Sequence, residues 1–276
     1  MIDLQGKSLK MRRKIIRLAY LGGTGHIASS LSSLDIIVAL YCSKVLVFDA
    51  KNPLMSARDR FILSKGHAAM ALYNVLCEEG FFSWNELKTF CKPGTIFGGE
   101  PTHIISGVEC ATGALGHGLS FGVGMALSAK IRKQSHLTYV LTGDGECQEG
   151  SIWEAAMSIA QNNLNNLIWI IDRNNLQATG RINKITDIDP LEVKLKSFGF
   201  NVVIIDGHNY DELVNTFNDT KKQLEKPLVI IANTIKGQGI SLLEDKDDNH
   251  YKIPNLTEYK IIVDELGLTW EEFERL

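Results

Sequence analysis

Short apolar runs alternate with stretches of helical period along most of the chain. Two of these runs, Tyr139-Val140-Leu141 and Leu167-Ile168-Trp169-Ile170-Ile171, predict buried strands. Between them Ile152, Ala155, Ala156, Ile159 and Ala160 recur at the spacing of one helix face. Each strand opens into a polar loop, Gly143-Asp144-Gly145 after the first and Asp172-Arg173-Asn174-Asn175 after the second. A parallel strand–helix–strand crossover brings Asp144 and Asn174, 30 positions apart, to the same edge of a sheet.

The rest of the chain extends the pattern. An amphipathic helix is predicted from about Ser8 to Leu21, ended by Gly22-Gly23. A second helix is expected from Ser33 to about Val45, capped by Ser32 or Ser33. A short strand over Arg58 to Ser64 leads into Lys65-Gly66-His67 and an alanine-rich helix, Ala68 to Glu79. From Lys92 to Gly107 glycine and proline are frequent and periodicity is weak, which marks a long irregular loop. Gly113 to Gly118 opens a small-residue helix through Ile131, whose side chains suit close backbone packing, within the chain or against another chain. Strands at Val202 to Ile205 and Leu228 to Ala232 flank a helix from Tyr210 to Leu224. A polar loop follows, Thr234 to Asn249, then a tail from about residue 251 with a helix at Trp270 to Leu276. One α/β domain over residues 1–276 accounts for this order: a doubly wound, mostly parallel sheet with helices on both faces.

Composition narrows the function. With 29 basic against 32 acidic residues there is no electrostatic footprint for nucleic acid. The basic cluster from Lys7 to Arg17 is interleaved with Leu9, Ile15, Ile16 and Leu18, as in an amphipathic surface helix. The most apolar run, Ile36 to Phe48, is too short to span a bilayer, and the N-terminus lacks the apolar core of a signal peptide. Five scattered cysteines without a C-x-x-C pair read as reduced thiols of a cytoplasmic protein.

The chemistry gathers at the predicted strand ends. Asp144 and Asn174 offer hard oxygen ligands, suited to Mg2+ or Ca2+. Gly143 and Gly145 let a bulky anion approach the backbone and the helix that follows, so a cation holding a diphosphate is the first expectation. Glu146 and Glu149 are expected in the first helical turn, where the dipole favours them. Of seven histidines, His26, His67, His117 and His208 each follow a glycine at a predicted strand end or helix start, and His250 lies in the polar loop. Imidazoles near neutral pKa suit proton transfer to and from sugar hydroxyls. His136 reads as a surface residue.

Seven segments together, GTGHIASSLSS, SKGHAAMALY, GVECATGALGHGLS, GDGECQEGSIWEA, DRNNLQATG, DGHN and NTIKGQGIS, resemble the diphosphate-binding half of transketolase. That family depends on thiamine diphosphate, and the resemblance covers roughly Arg12 to His250. It implies that Asp144, Asn174 and the carbonyl of Leu176 bind the metal, with Gly145 against the diphosphate and Gly113 and Leu115 beside the aminopyrimidine. It also implies that His67 and His250 contact cofactor or substrate, that His26 reaches substrate hydroxyls, and that Glu149 lies at a subunit interface.

The resemblance further implies a partner. The glutamate that activates the aminopyrimidine belongs to a second, pyrimidine-binding domain, which is expected on a separate chain of a split transketolase, in an α2β2 assembly. The expected activity is transfer of a two-carbon ketol unit between sugars or sugar phosphates. The alternatives are a non-catalytic cofactor-binding or regulatory module, or a subunit of another thiamine diphosphate enzyme such as a 2-oxo acid decarboxylating complex. Three positions depart from the family pattern. Glu100 stands where a substrate-binding histidine is usual, with His103 three residues on as a substitute; Tyr251 replaces a glycine, and Thr179 an aspartate.

Overall fold

A computed structural model of the chain describes residues 2–222 and 225–276. The N-terminal layer comprises α1 (Leu4–Gly22), α2 (Ile27–Cys42), β1 (Arg60–Leu63), α3 (Ala69–Glu78) and the single turn α4 (Trp84–Leu87). The central unit follows as α5 (His117–Ile131), β2 (Thr138–Gly143), α6 (Gly150–Gln161) and β3 (Leu167–Arg173). A small hairpin, β4 (Leu176–Gln177) and β5 (Gly180–Arg181), precedes α7 (Ile182–Ile185) and α8 (Leu191–Ser197). The chain ends with β6 (Asn201–Asp206), α9 (Tyr210–Asp219), β7 (Leu228–Asn233), α10 (Leu256–Glu265) and α11 (Trp270–Arg275).

Five strands form one sheet in the order β1-β2-β3-β7-β6, every neighbouring pair parallel. Strand periodicity divides the core between its two faces. Ile168 and Ile170 of β3 pack with α1, α2, α3, α9, α10 and α11, whereas Trp169 and Ile171 pack with α5, α6 and α8. Both faces of β2, β3 and β7 are covered, so these central strands are mainly apolar, as buried parallel strands are, whereas the edge strand β6 leaves Ile204 44 % exposed. The doubly wound architecture is the one the pattern predicts.

Most element boundaries fall within a few residues of expectation. The expected end of the 210–224 helix lies outside the described residues. Three expectations need correction. First, α2 begins at Ile27, six residues before the expected start. Its serines do not cap it; Ser32 and Ser33 point inward and donate to the Asp172 carboxylate and to the Ser29 carbonyl. Second, His136 is buried, at 6 % exposure, because its segment runs against the entry to β1, where Leu137 N–H bonds the Asp59 carboxylate. Third, the tail carries a further helix, α10, whose start is a reciprocal Asn255–Glu258 capping box. Tyr259 and Phe273 of this tail pack edge-on to Tyr20 of α1, with ring centroids 5.1 and 5.7 Å away.

The small-residue helix α5 does pack closely within the chain. A Cβ added at Gly118 would lie 2.7 Å from the Ser64 Cα. Its other face is open, with Phe121 46 % exposed beside Gly124.

One buried network ties three helices together. The Asp35 carboxylate of α2 accepts hydrogen bonds from Ser8 Oγ, Tyr210 OH and His208 Nδ1 and pairs with Arg12. Burial alone would raise its pKa, but the His208 hydrogen bond and the Arg12 charge hold it below the ordinary carboxylate value. A depressed carboxylate stabilises the fold above its unfolded pKa and loses that contribution as pH falls through the folded one. Asp35→Asn is therefore expected to cost about 2–3 kcal/mol at pH 7. Urea unfolding should show the deficit persisting to about pH 5 and narrowing only below the ordinary carboxylate range.

Candidate active site

The pocket lies where β1, β2 and β3 end, and each contributes residues from the loop that follows it. After β1 the chain tightens into a single turn at Gly66–Ala68 that presents His67. Asp144 follows β2 directly and Asn174 follows β3. His26 stands at the N-terminal boundary of α2, and the loop after β7 returns Lys236 and His250. The pocket volume is about 310 Å³.

The crossover brings Asp144 and Asn174 together as expected. Asp144 Oδ2 accepts from the backbone N–H of Asn174 at 2.9 Å and of Asn175, and Oδ1 accepts from Gly145 N–H at 2.8 Å. Asn174 Oδ1 accepts from Leu176 N–H at 3.1 Å. Burial and the neighbouring Asp172 charge push the Asp144 carboxyl up to about 6, so this site favours an added positive charge.

Sequence reasoning passed over the residues that balance this charge. Asp172, fully buried, pairs with Lys65 and accepts from Ser32, Ser33 and Thr234. Burial would raise its pKa, but Lys65 holds it at about 2. Lys236 donates to the Gln177 carbonyl at 3.1 Å and sits 3.2 Å from His250 Nδ1. Burial, then the Lys65 charge, lowers the Lys236 pKa to about 8. Both lysines lie inside motif segments already singled out, SKGHAAMALY and NTIKGQGIS, but a lone loop lysine reads as solvated until the fold buries it.

Three imidazoles form one cluster. The His26 ring centroid is 5.6 Å from that of His67 and 5.1 Å from that of His250, and the latter two are 5.2 Å apart. Burial lowers all three pKa values, His67 well below its ordinary value and His250 to about 3, with nearby lysines adding to the shift. All three rings are therefore neutral at pH 7, each able to donate from one nitrogen and accept at the other.

Gly113, Leu115, Gly145, Leu176, Glu100 and Glu149 line the same pocket. His103 does not; it is exposed and outside it. His117 is exposed at the start of α5. His208 is at a strand end as expected, but its ring bridges Asp35 and the Ile235 N–H instead of reaching the pocket. Glu146 is not in the helix. It lies buried in a tight turn before α6, accepting from Ser64 Oγ, Gly116 N–H and Gly143 N–H, while Glu149 takes the boundary position of α6. The turn forms because three donors converge on that carboxylate.

The donor set suits a divalent cation with a diphosphate. Among the described residues no three His, Cys, Asp or Glu side chains form a metal-holding cluster. The set at Asp144 has a single carboxylate beside an amide oxygen and a backbone carbonyl, which selects hard cations over zinc. Gln177 Oε1, buried in the pocket wall, has no partner, and Lys65 and Lys236 supply positive charge for an anion.

Fold and pocket together define a parallel α/β protein with an anion-and-cation cleft at the carboxyl edge of its sheet. Residues 20–274 match the family described as "Transketolase, thiamine diphosphate binding domain", and the chain belongs to that family. It is 39% identical to one of the subunits named for the apulose-4-phosphate transketolase of Phocaeicola vulgatus, over 99% of this chain and 96% of that one. It is 40% identical to the 6-deoxy-6-sulfo-D-fructose transketolase subunit SqwG of a Clostridium species, over 90% of each. The transketolase structure from Campylobacter jejuni superposes with a TM-score of 0.90 at 30% identity, covering 98% of this chain. This chain spans 43% of that longer one.

Proposed function

We propose that this chain is the diphosphate-binding subunit of a two-chain transketolase, moving a two-carbon ketol unit between sugars or sugar phosphates with a separate pyrimidine-binding subunit. The observation that carries this reading is one pocket in which Asp144 and Asn174 face the His26–His67–His250 cluster. The likeness to relatives that are themselves named as transketolase subunits, over nearly their whole length, supports it.

Thiamine diphosphate, when bound, supplies the carbanion chemistry. Asp144, Asn174 Oδ1 and the Leu176 carbonyl would hold Mg2+ (or Ca2+) against the diphosphate, beside Gly145. Lys236 adds a charge-assisted donor, and Gly113 and Leu115 line the aminopyrimidine side. His26, neutral and with a buried Nδ1 that has no partner, would move a proton at a substrate hydroxyl. His67 and His250 would hold the substrate or the diphosphate in register.

The partner would meet the open face of α5 and α6, where Phe121 and Met157 are 46 % and 53 % exposed, with exposed Glu149 at the boundary. An α2β2 assembly follows if two such pairs join. The five free cysteines fit a reducing cytoplasm, and among the described residues no helix is long and apolar enough to cross a membrane.

The test is a ketol-transfer assay with the chain by itself and after mixing with the pyrimidine-binding chain. Activity is expected to rise by at least about 100-fold on mixing, since the partner supplies an essential general acid–base group. Full transfer by the single chain would falsify the two-chain reading.

A further inference from the structure

The floor and the rim of the pocket differ in charge. Lys65 and Lys236 in the floor are each only 2 % exposed, whereas Glu100 and Glu149 line the rim and are exposed. Glu100 belongs to the irregular segment between α4 and α5, and its backbone carbonyl is held by Tyr73 OH at 3.0 Å. Its side chain folds over Gly113. A Cβ added at Gly113 would lie 2.1 Å from Glu100 Oε2 and 2.9 Å from the carboxyl carbon, so glycine at that position admits the carboxylate. Among the described residues no hydrogen bond or ion pair engages the carboxylate itself; only the backbone carbonyl is held. His26 faces the same space with an unpartnered Nδ1, and the Glu100 charge partly offsets the burial that lowers its pKa. The carboxylate thus lies over the pocket mouth with no protein partner for its acceptor oxygens among the described residues.

We propose that Glu100 selects the donor sugar, accepting a hydrogen bond from a neutral hydroxyl and repelling donors that carry a carboxylate, phosphate or sulfonate at that point. A charged acceptor makes the stronger hydrogen bond to a hydroxyl. The same charge opposes an anion in contact with it, and the opposition is screened beyond about 8 Å. An anionic group in contact with Glu100 is therefore disfavoured, while a phosphate carried more than about 8 Å away on the same sugar is tolerated. This inference rests on the ketol-transfer reading and adds a substrate class to it.

The experiment uses the assembled two-chain enzyme with thiamine diphosphate and magnesium, and two donors. Erythrulose is neutral; hydroxypyruvate carries a carboxylate beside its carbonyl. Glu100→Gln keeps the shape and removes the charge. Its kcat/KM is expected to rise about tenfold for hydroxypyruvate and to fall several-fold for erythrulose, mainly through KM. A ratio between the donors that stays within about twofold overturns the assignment of Glu100. Transfer from neither of these two donors, nor from any of a panel of ketoses and ketose phosphates, by the unmodified pair overturns the ketol-transfer reading, and this inference with it. A second measurement needs no activity: proton NMR titration of His26 in the unmodified and Glu100→Gln chains. Removing the charge is expected to lower the His26 pKa, and an unchanged titration overturns the juxtaposition on which the selection depends.

Discussion

Asp144→Ala is expected to abolish magnesium-dependent binding of thiamine diphosphate. The carboxylate is the one ionised group in the proposed ligand set, and three backbone N–H groups, of Gly145, Asn174 and Asn175, point its oxygens to a fixed place. Losing a charged hydrogen bond of this kind costs roughly 1.5–3 kcal/mol, and departure of the metal adds to that. Alanine also leaves those N–H groups without an acceptor, so part of the loss could come from a loosened loop. Asp144→Asn separates the two effects, because it keeps the shape and one acceptor oxygen while removing the charge. Calorimetry with magnesium present should give an affinity at least about 100-fold weaker for the asparagine variant. Equal affinity in both proteins would remove Asp144 from the metal site.

The second large effect is expected from His26→Ala in the loaded two-chain enzyme. A positioned acid–base group contributes about 10²–10⁴ in rate, so a fall in kcat/KM of at least about 100-fold is expected. Cofactor affinity should stay within about twofold, because the structure gives His26 no bond to Asp144, Asn174 or Lys236. That split between rate and cofactor affinity is the diagnostic result. A loss of thiamine diphosphate binding equal to the loss of rate would make His26 a cofactor-positioning residue and not a proton carrier.

Much of the fold was legible because burial on both faces leaves the central strands mainly apolar. β2, β3 and β7 stand out for that reason, and the crossover rule then pairs Asp144 with Asn174 across 30 positions. Two of the errors share a cause. Polar residues that the fold buries and satisfies look like boundary or surface residues in one dimension. Ser32 and Ser33 read as helix caps but donate to Asp172 inside the protein. Glu146 read as a dipole-favoured helix residue but holds three donors in a turn. The Asn255–Glu258 capping box of α10 was present in the sequence, hidden by the polar residues around it.

The site divides along the same line. Residue type and spacing alone determined the parallel α/β class, the hard-oxygen character of the Asp144–Asn174 edge and the concentration of histidines at strand ends. The motif segments added the thiamine diphosphate family. The motif segments had already set His26 and His67 apart from the other glycine-histidine pairs; the tertiary structure shows where each pair goes: His26 and His67 reach the pocket, His117 lies exposed, and His208 is committed to Asp35. It also decided between Glu100, which lines the pocket, and His103, which does not. Lys65 and Lys236 emerged only there, because a lysine's charge and pKa depend on burial and on neighbours far away in sequence. Periodicity and local spacing act over a few residues and survive in one dimension, whereas desolvation and charge pairing arise only when distant segments meet.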